Sequence, residues 1–278
     1  MTNIPYKLLV VDVDGTLVDK DGNISDEDRK ALDQVRERGV RISLSTGRTI
    51  QACFQIMNQL SLDGYHIFFD GALVSSPENS EQVYVQPLES TAVKKAVEFA
   101  HVNNIYFELY SVNSFFVERE TWATEIRRRF FKIEPIIVEF SGIWEREKLF
   151  KAQLVTLSSE EVAKAGEFHR EFKEIFGFSW ARTPAYPGVD FINVVDHEAS
   201  KGKALKALAT HLGIPLSEVM AVGDGLNDIT FLSIAGLAIA MQDAPDEVKK
   251  VADYITADVN HNGLAAAIDK FLLSKDKV

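Results

Sequence analysis

The chain reads as an α/β protein in which a parallel-sheet core with helices on both faces is interrupted by an inserted α+β domain. Three observations predict this. Short apolar runs alternate with amphipathic helical patterns at both ends of the sequence, as right-handed βαβ crossovers require. Several runs in the middle alternate apolar and polar residues instead, as an antiparallel sheet with one open face would. Polar residues able to do chemistry follow directly on the core runs, where open α/β sheets place their ligands.

Lys7–Val13, built on Leu8-Leu9-Val10-Val11, is the first strand and reads as fully buried. Ser25 opens a helix with acids in its first turn; it carries Ala31, Leu32 and Val35 and stops at Gly39. Val40–Leu44 is the next strand, followed by a helix to about Leu60 and a third strand over Tyr65–Phe69. Near the C-terminus the alternation returns as helix Lys201–Leu212, strand Val219–Val222, helix Asn227–Ile234, strand Leu237–Ala240, helix Ala244–Val251 and a final helix from Gly263. The middle carries candidate strands Ile105–Tyr110, Phe115–Glu118, Ala152–Leu157, Phe178–Thr183 and Gly188–Phe191, with helices near Ser90–Asn103, Thr121–Phe131 and Glu160–Phe176. Residues 1–81 and 193–278 therefore form the expected core and 82–192 the insertion, with hinges near Ser75–Glu81 and Val194–Ser200. No internal repeat or low-complexity segment interrupts this pattern.

Composition narrows the function classes. With 278 residues, 46% of them hydrophobic, the chain can bury a large core. A net charge of −11 argues against nucleic acid, which leaves a basic footprint, and suits a protein that meets an anion through a metal ion. The single cysteine, Cys53, excludes an intramolecular disulfide and reads as a small buried apolar residue. There is no N-terminal signal pattern and no apolar stretch near the roughly 20 residues that span a bilayer, so a cytoplasmic protein without a membrane partner is expected. The six histidines are scattered, with no zinc-type spacing.

The most informative residues are Asp12-Val13-Asp14-Gly15-Thr16. Alternation along an extended strand aims Asp12 and Asp14 the same way, Gly15 turns the chain, and Thr16 can hold the turn. An ordinary Asp-Gly turn is the plainer reading. Ser45-Thr46-Gly47-Arg48 closes the second strand and opens a helix, offering a hydroxyl and backbone N–H groups to a phosphate, although a simple N-cap has the same form. Ser200-Lys201-Gly202 places a lysine in a helix's first turn, where it either meets an anion or is merely solvated. Gly223-Asp224-Gly225-Leu226-Asn227-Asp228 follows a strand and supplies hard oxygen ligands suited to magnesium; it lacks the spacing and distal Glu of a calcium loop. Together the four segments lie at strand ends in a consistent order.

On these residues the chain resembles the haloacid dehalogenase superfamily of phosphatases and phosphotransferases. Its four motifs match Asp12 to Thr16, Thr46 within Thr-Gly-Arg, Lys201, and Gly223 to Asp228. Ala244–Val251, Asn262-Gly263 and the insertion of more than a hundred residues between Thr46 and Lys201 resemble the Cof-type branch. The resemblance implies a Rossmann-like core with an inserted cap, and hydrolysis of small phosphorylated metabolites, most often sugar phosphates. Asp12 would be the nucleophile and Asp14 the acid and base. Asp12, Asp14 (through its carbonyl), Asp224 and Asp228 would hold or complete the shell of Mg2+, and Thr46, Gly47, Lys201 and Asn227 would bind phosphate. A phosphosugar mutase and a non-enzymatic phosphate-binding regulatory protein share the motifs and stay open as alternatives. The partner would be a small metabolite and the protein a monomer or small homo-oligomer.

One departure stands out: the Cof-type branch usually has Asn-Gly-Ala after the third strand, and this chain has Asp70-Gly71-Ala72. An acid there adds negative charge beside a phosphate unless it is protonated, paired or turned away. In the insertion, Arg127-Arg128-Arg129 reads as a solvated helix face, and Phe107, Tyr110, Phe115, Phe116 and Trp122 as the cap's own core. Arg182 and Tyr186 flank Pro184 and Pro187 in a stiff loop and are the candidate specificity residues.

Overall fold

A computed structural model describes residues 5–78, 81–182 and 186–274. In chain order its strands are β1 (Leu8–Asp12), β2 (Arg41–Ser45), β3 (His66–Phe68), β4 (Leu73–Ser76), β5 (Glu81–Val85), β6 (Phe107–Tyr110), β7 (Phe115–Val117), β8 (Ile136–Ile137), β9 (Lys151–Thr156), β10 (Phe176–Arg182), β11 (Asp190–Asp196), β12 (Val219–Gly223), β13 (Leu237–Ala240) and β14 (Tyr254–Ile255). The chain divides into two compact units, one of Met1–Thr46, Gln55–Tyr84 and Ser200–Val278, the other of Gly47–Phe54 and Val85–Ala199.

The first unit is built on an eight-stranded sheet in the order β14-β13-β12-β1-β2-β3-β4-β5. β1 is parallel to both β2 and β12, with Leu9 beside Ile42 on one side and Met220 on the other. The order reverses at β1, so its carboxyl end is the switch point where such sheets open a crevice. Every residue of β1 is buried, as its apolar run predicts. The helix Asp26–Glu37 starts where expected, because the Ser25 hydroxyl accepts the Asp28 N–H at 3.0 Å and satisfies an orphan donor. Its Ala31, Leu32 and Val35 face the core, and Asp28 in turn accepts the Ala265 N–H at 2.7 Å, tying this helix to Gly263–Ile268.

Several boundaries differ from expectation. The first strand ends at Asp12 rather than Val13, because the N–H groups of Leu17 and Val18 both turn back onto the Val13 carbonyl. Asp14 therefore lies in the turn, exposed, bridged to Val18 and not on the strand. The expected helix Asn227–Ile234 splits into a 3-10 turn over Leu226–Asp228 and one α-turn over Ile229–Leu232. The expected helix Ala244–Val251 shrinks to Asp246–Lys249, following Pro245, which has no N–H to extend a helix backwards. β4 returns antiparallel to β3 and, with β5, widens the sheet beyond the strands read from sequence.

Within this sheet His66 is fully buried on β3, its Nδ1 accepting the Leu44 N–H at 3.1 Å. Burial holds its pKa down, from 6.5 to about 4. The folded state thus keeps a neutral ring while the unfolded chain takes up a proton below pH 6.5, so stability is lost as pH falls from 6.5 through about 4. At about 1.4 kcal/mol per unit the loss is about 3 kcal/mol. Urea unfolding of the wild type and His66→Leu between pH 7.5 and 4 measures it. The wild type's advantage over the variant should shrink by that amount, and a pH-independent difference would show that the ring does not titrate this way.

The second unit carries a six-stranded sheet, order β10-β11-β9-β6-β7-β8, antiparallel except for β7·β8. Residue 192, the expected end of the insertion, falls inside β11, which pairs with β10 as far as Asp196. One sheet face packs Phe107, Leu109, Leu154, Ile192 and Val194 against Ala96 and Val97 of helix Ser90–Val102 and Phe168 and Phe172 of helix Ser159–Phe172. The other face was expected to be open, but its Glu108, Gln153 and Asn193 are buried. Strand register sets Glu108 beside Gln153, Gln153 beside Asn193, and Asn193 beside Ser179. Gln153 donates to Asn193, which donates to Ser179 at 3.0 Å. Arg127 ends the row: only 4% exposed, it donates to Glu108 at 2.8 Å and also bonds Gln153. The arginine run is therefore not a uniformly solvated face. Arg128 and Arg129 do sit outside, paired with Glu120, Glu134 and Glu125. Of the aromatic residues expected in this unit's core, Phe107 and Phe116 join it, Tyr110 and Phe115 stack at 4.9 Å, and Trp122 stays 37% exposed. Among the described residues no helix is long and apolar enough to cross a membrane.

Candidate active site

The carboxyl ends of β1, β2, β3 and β12 bring the sequence motifs together in the first unit. Asp12 closes β1 and is 7% exposed. Lys201, at the start of helix Lys201–Leu212, is 1% exposed and reaches Asp12 Oδ1 and Asp228 Oδ1, each at 2.6 Å. Ser200 caps that helix by accepting the Lys203 N–H at 3.2 Å, which fixes where the lysine leaves the backbone. The alternative of a merely solvated lysine is overturned: an ammonium so deeply buried must be paired.

The loop after β12 is folded by one of its own acids. Asp228 Oδ2 accepts the N–H groups of Asp224 at 2.9 Å and Gly225 at 2.8 Å, while its Oδ1 takes the Lys201 ammonium. Asp228 is thus an organising residue whose two oxygens are already engaged. Thr16, expected to hold its own turn, instead donates to Asp224 Oδ1 at 2.7 Å. Gly15 makes that approach possible: at φ +91° it is in the left-handed region, and a Cβ there would stand 2.5 Å from Asp224 Oδ2.

Asp12, Asp224 and Asp228 each offer a carboxylate oxygen within 4.8 Å of one another. Burial raises the Asp12 pKa well above the usual carboxylate range, reinforced by the charge of Asp228 and opposed by Lys201. Burial, then Asp228, pushes Asp224 up to about 7, against the Thr16 hydroxyl and Lys201. Three crowded acids facing one ammonium leave excess negative charge, which a divalent cation with hard oxygen ligands would offset. The donor set therefore fits Mg2+. Asp14 does not join this carboxylate cluster.

Thr46 is fully buried just past β2, its N–H donating to the Ile67 carbonyl at 2.9 Å and its own carbonyl accepting the Asp70 N–H at 3.0 Å. Asn227 is half-buried and donates to Asp70 at 2.8 Å. Gly47 falls in the second unit, where its carbonyl accepts the Lys151 ammonium at 3.1 Å. Lys151 was not singled out from the sequence, where it is one lysine at the head of an apolar run. Arg182 ends β10 opposite Asp190, and Tyr186 packs against the cluster of Ala123, Ile126, Val155, Val189 and Phe191. Pro184, between them, lies outside the described residues.

Residues 9–268 match the family described as haloacid dehalogenase-like hydrolase. The chain belongs to that family. The 5-amino-6-(5-phospho-D-ribitylamino)uracil phosphatase YcsE of Bacillus subtilis is 30% identical to this hydrolase over 98% of each chain. A haloacid dehalogenase-like hydrolase from Bacteroides thetaiotaomicron superposes with a TM-score of 0.81 at 26% identity, covering 95% of this chain and 99% of its own. The subclass IIB sugar phosphatase BT4131 gives a TM-score of 0.79 at 25% identity, over 96% and 100% of the two chains. With the Cof-type motifs in place, the chain is a phosphatase of this superfamily, built as an α/β core with a second, inserted sheet.

Proposed function

We propose that this hydrolase is a Mg2+-dependent phosphomonoesterase of the cytoplasm that acts on small phosphorylated metabolites, sugar phosphates foremost, through an aspartyl-phosphate. The observation that carries the reading is the buried Asp12 at the sheet's switch point, held by Lys201 at 2.6 Å and crowded by Asp224 and Asp228. In this reading an Asp12 oxygen forms a bond to phosphorus as the bond to the leaving oxygen breaks, and Asp14 gives that oxygen its proton. Asp14 then takes a proton from a water that attacks the phosphorus, releasing inorganic phosphate and restoring Asp12. Exposure of Asp14 in the turn after β1 suits a group that must meet both leaving group and water. Lys201, Thr46, Gly47 and Asn227 hold the phosphoryl oxygens. Asp12, the Asp14 carbonyl and Asp224 would hold Mg2+, with Asp228 orienting the loop. When bound, the ion supplies electrostatic stabilisation of the charge on the transferring group.

The sugar-phosphate assignment draws support from the two named relatives, one a sugar phosphatase and the other acting on a phosphorylated ribityl chain. A panel of phosphorylated sugars, nucleotides and cofactors, assayed for phosphate release with and without Mg2+, tests it. Release of phosphate from a sugar phosphate supports hydrolysis; a sugar bisphosphate product without phosphate release would make the protein a mutase.

Selection among leaving groups is assigned to Arg182 and Tyr186 of the second unit. Arg182→Ala should cost about 1–3 kcal/mol in kcat/KM for the best substrate, as loss of a buried polar contact does. Tyr186→Phe keeps the packing ring and isolates the hydroxyl. Hydrolysis of p-nitrophenyl phosphate, a small generic ester, should barely change in either variant. Equal losses on both substrates would remove these residues from the specificity site.

A further inference from the structure

The departure at Asp70 has a structural counterpart. Phe69, Asp70 and Gly71 form a 3-10 turn after β3 in which all three have positive φ, +53°, +55° and +94°. Two consecutive non-glycine residues in the left-handed region are costly, and such strain persists only where the surroundings over-determine it. Here they do. The Asp70 N–H is held by the Thr46 carbonyl at 3.0 Å. Gly71 is pressed onto the next motif, since a Cβ there would stand 2.2 Å from the Ser200 carbonyl carbon and 2.5 Å from the Lys201 nitrogen. The Asp70 carboxylate, 5% exposed, accepts the Asn227 amide at 2.8 Å. One strained turn thus links the loops that carry Thr46, Lys201 and Asn227.

We infer that Asp70 is a positioning residue that fixes the Asn227 side chain for phosphate binding. A carboxylate only accepts, so it admits the amide in one orientation, nitrogen inward, whereas an asparagine at this position could meet either end. The Asn227 oxygen is correspondingly turned to Gly225, where a Cβ would come within 2.5 Å of it. One amide N–H is spent on Asp70 and the other is left to a phosphoryl oxygen, a step that rests on the phosphate role proposed for Asn227. The pairing also answers the charge problem, because the acid beside the phosphate site is engaged by a donor.

Three variants test this. Asp70→Gly removes the carboxylate while relieving the left-handed backbone, so it should fold. Asp70→Asn removes the same charge but keeps an acceptor oxygen. Asn227→Ala removes the donor. The probe is inorganic phosphate with Mg2+, read both as inhibition of p-nitrophenyl phosphate hydrolysis and as protection against thermal unfolding, alongside the melting point without phosphate. Asp70→Gly and Asn227→Ala should each weaken phosphate about 5- to 10-fold, the scale of one ordinary net hydrogen bond. Their double variant should be no weaker than the worse single, and Asp70→Asn should stay within about twofold of wild type. Equal tightening by Asp70→Gly and Asp70→Asn would mean that charge alone matters and would overturn the inference, as would additive losses in the double variant. Absence of wild-type turnover would defeat the phosphatase reading separately, while protection by phosphate would still decide the role of Asp70.

Discussion

Asp12→Asn should lower phosphomonoester turnover at least about a thousandfold, because it removes the attacking oxygen's charge while keeping the side chain's shape. The fold should survive the change. Asp12 is buried with its pKa raised, so its ionised form is an unfavourable guest, and Lys201 keeps Asp228 at 2.6 Å as a counter-ion. The variant's melting temperature should therefore equal or exceed that of the wild type, the trade-off expected where an active site holds a strained charge. Phosphate should still bind weakly through Lys201 and Thr46. Near-normal turnover in a properly folded Asp12→Asn protein would sink the mechanism.

Removing divalent metal should abolish turnover altogether. Asp12, Asp224 and Asp228 converge within 4.8 Å, and burial, with their mutual repulsion added to it, raises Asp12 and brings Asp224 up to about 7. Excess EDTA leaves those acids opposed by Lys201 and the Thr16 hydroxyl, and added Mg2+ should restore full rate. Calcium prefers a larger and looser oxygen shell, so it should bind, raise the melting temperature and support little turnover. Full activity in excess EDTA, or after exhaustive dialysis, would refute the site.

Much of this molecule is legible locally. The buried run of β1, the Ser25 cap, the left-handed Gly39 at +82° and the strand Leu237–Ala240 depend on side-chain periodicity and on contacts a few residues apart. Asp12, Thr46 and Asp224 were identifiable for the same reason, standing at the ends of runs whose strand character needs no partner to be seen, while Lys201 opens a helix behind the Ser200 cap. Short elements without such signals escaped. β4, with its two serines, and the two-residue β8 exist because neighbouring strands offer them hydrogen bonds.

What each polar residue does was decided by the tertiary structure. Arg127 looked solvated until β6 supplied Glu108, and Thr16 looked like a turn residue until the loop after β12 brought Asp224 within 2.7 Å, 208 residues away in sequence. Asp70 could be marked as an unusual acid, but whether it repels a phosphate or holds an amide depended on Asn227, 157 residues on. Helical and strand propensity act over a few bonds and leave their trace in the local sequence. The partner of a buried charge is set by which strands lie side by side, and that order follows from how the whole sheet closes its core.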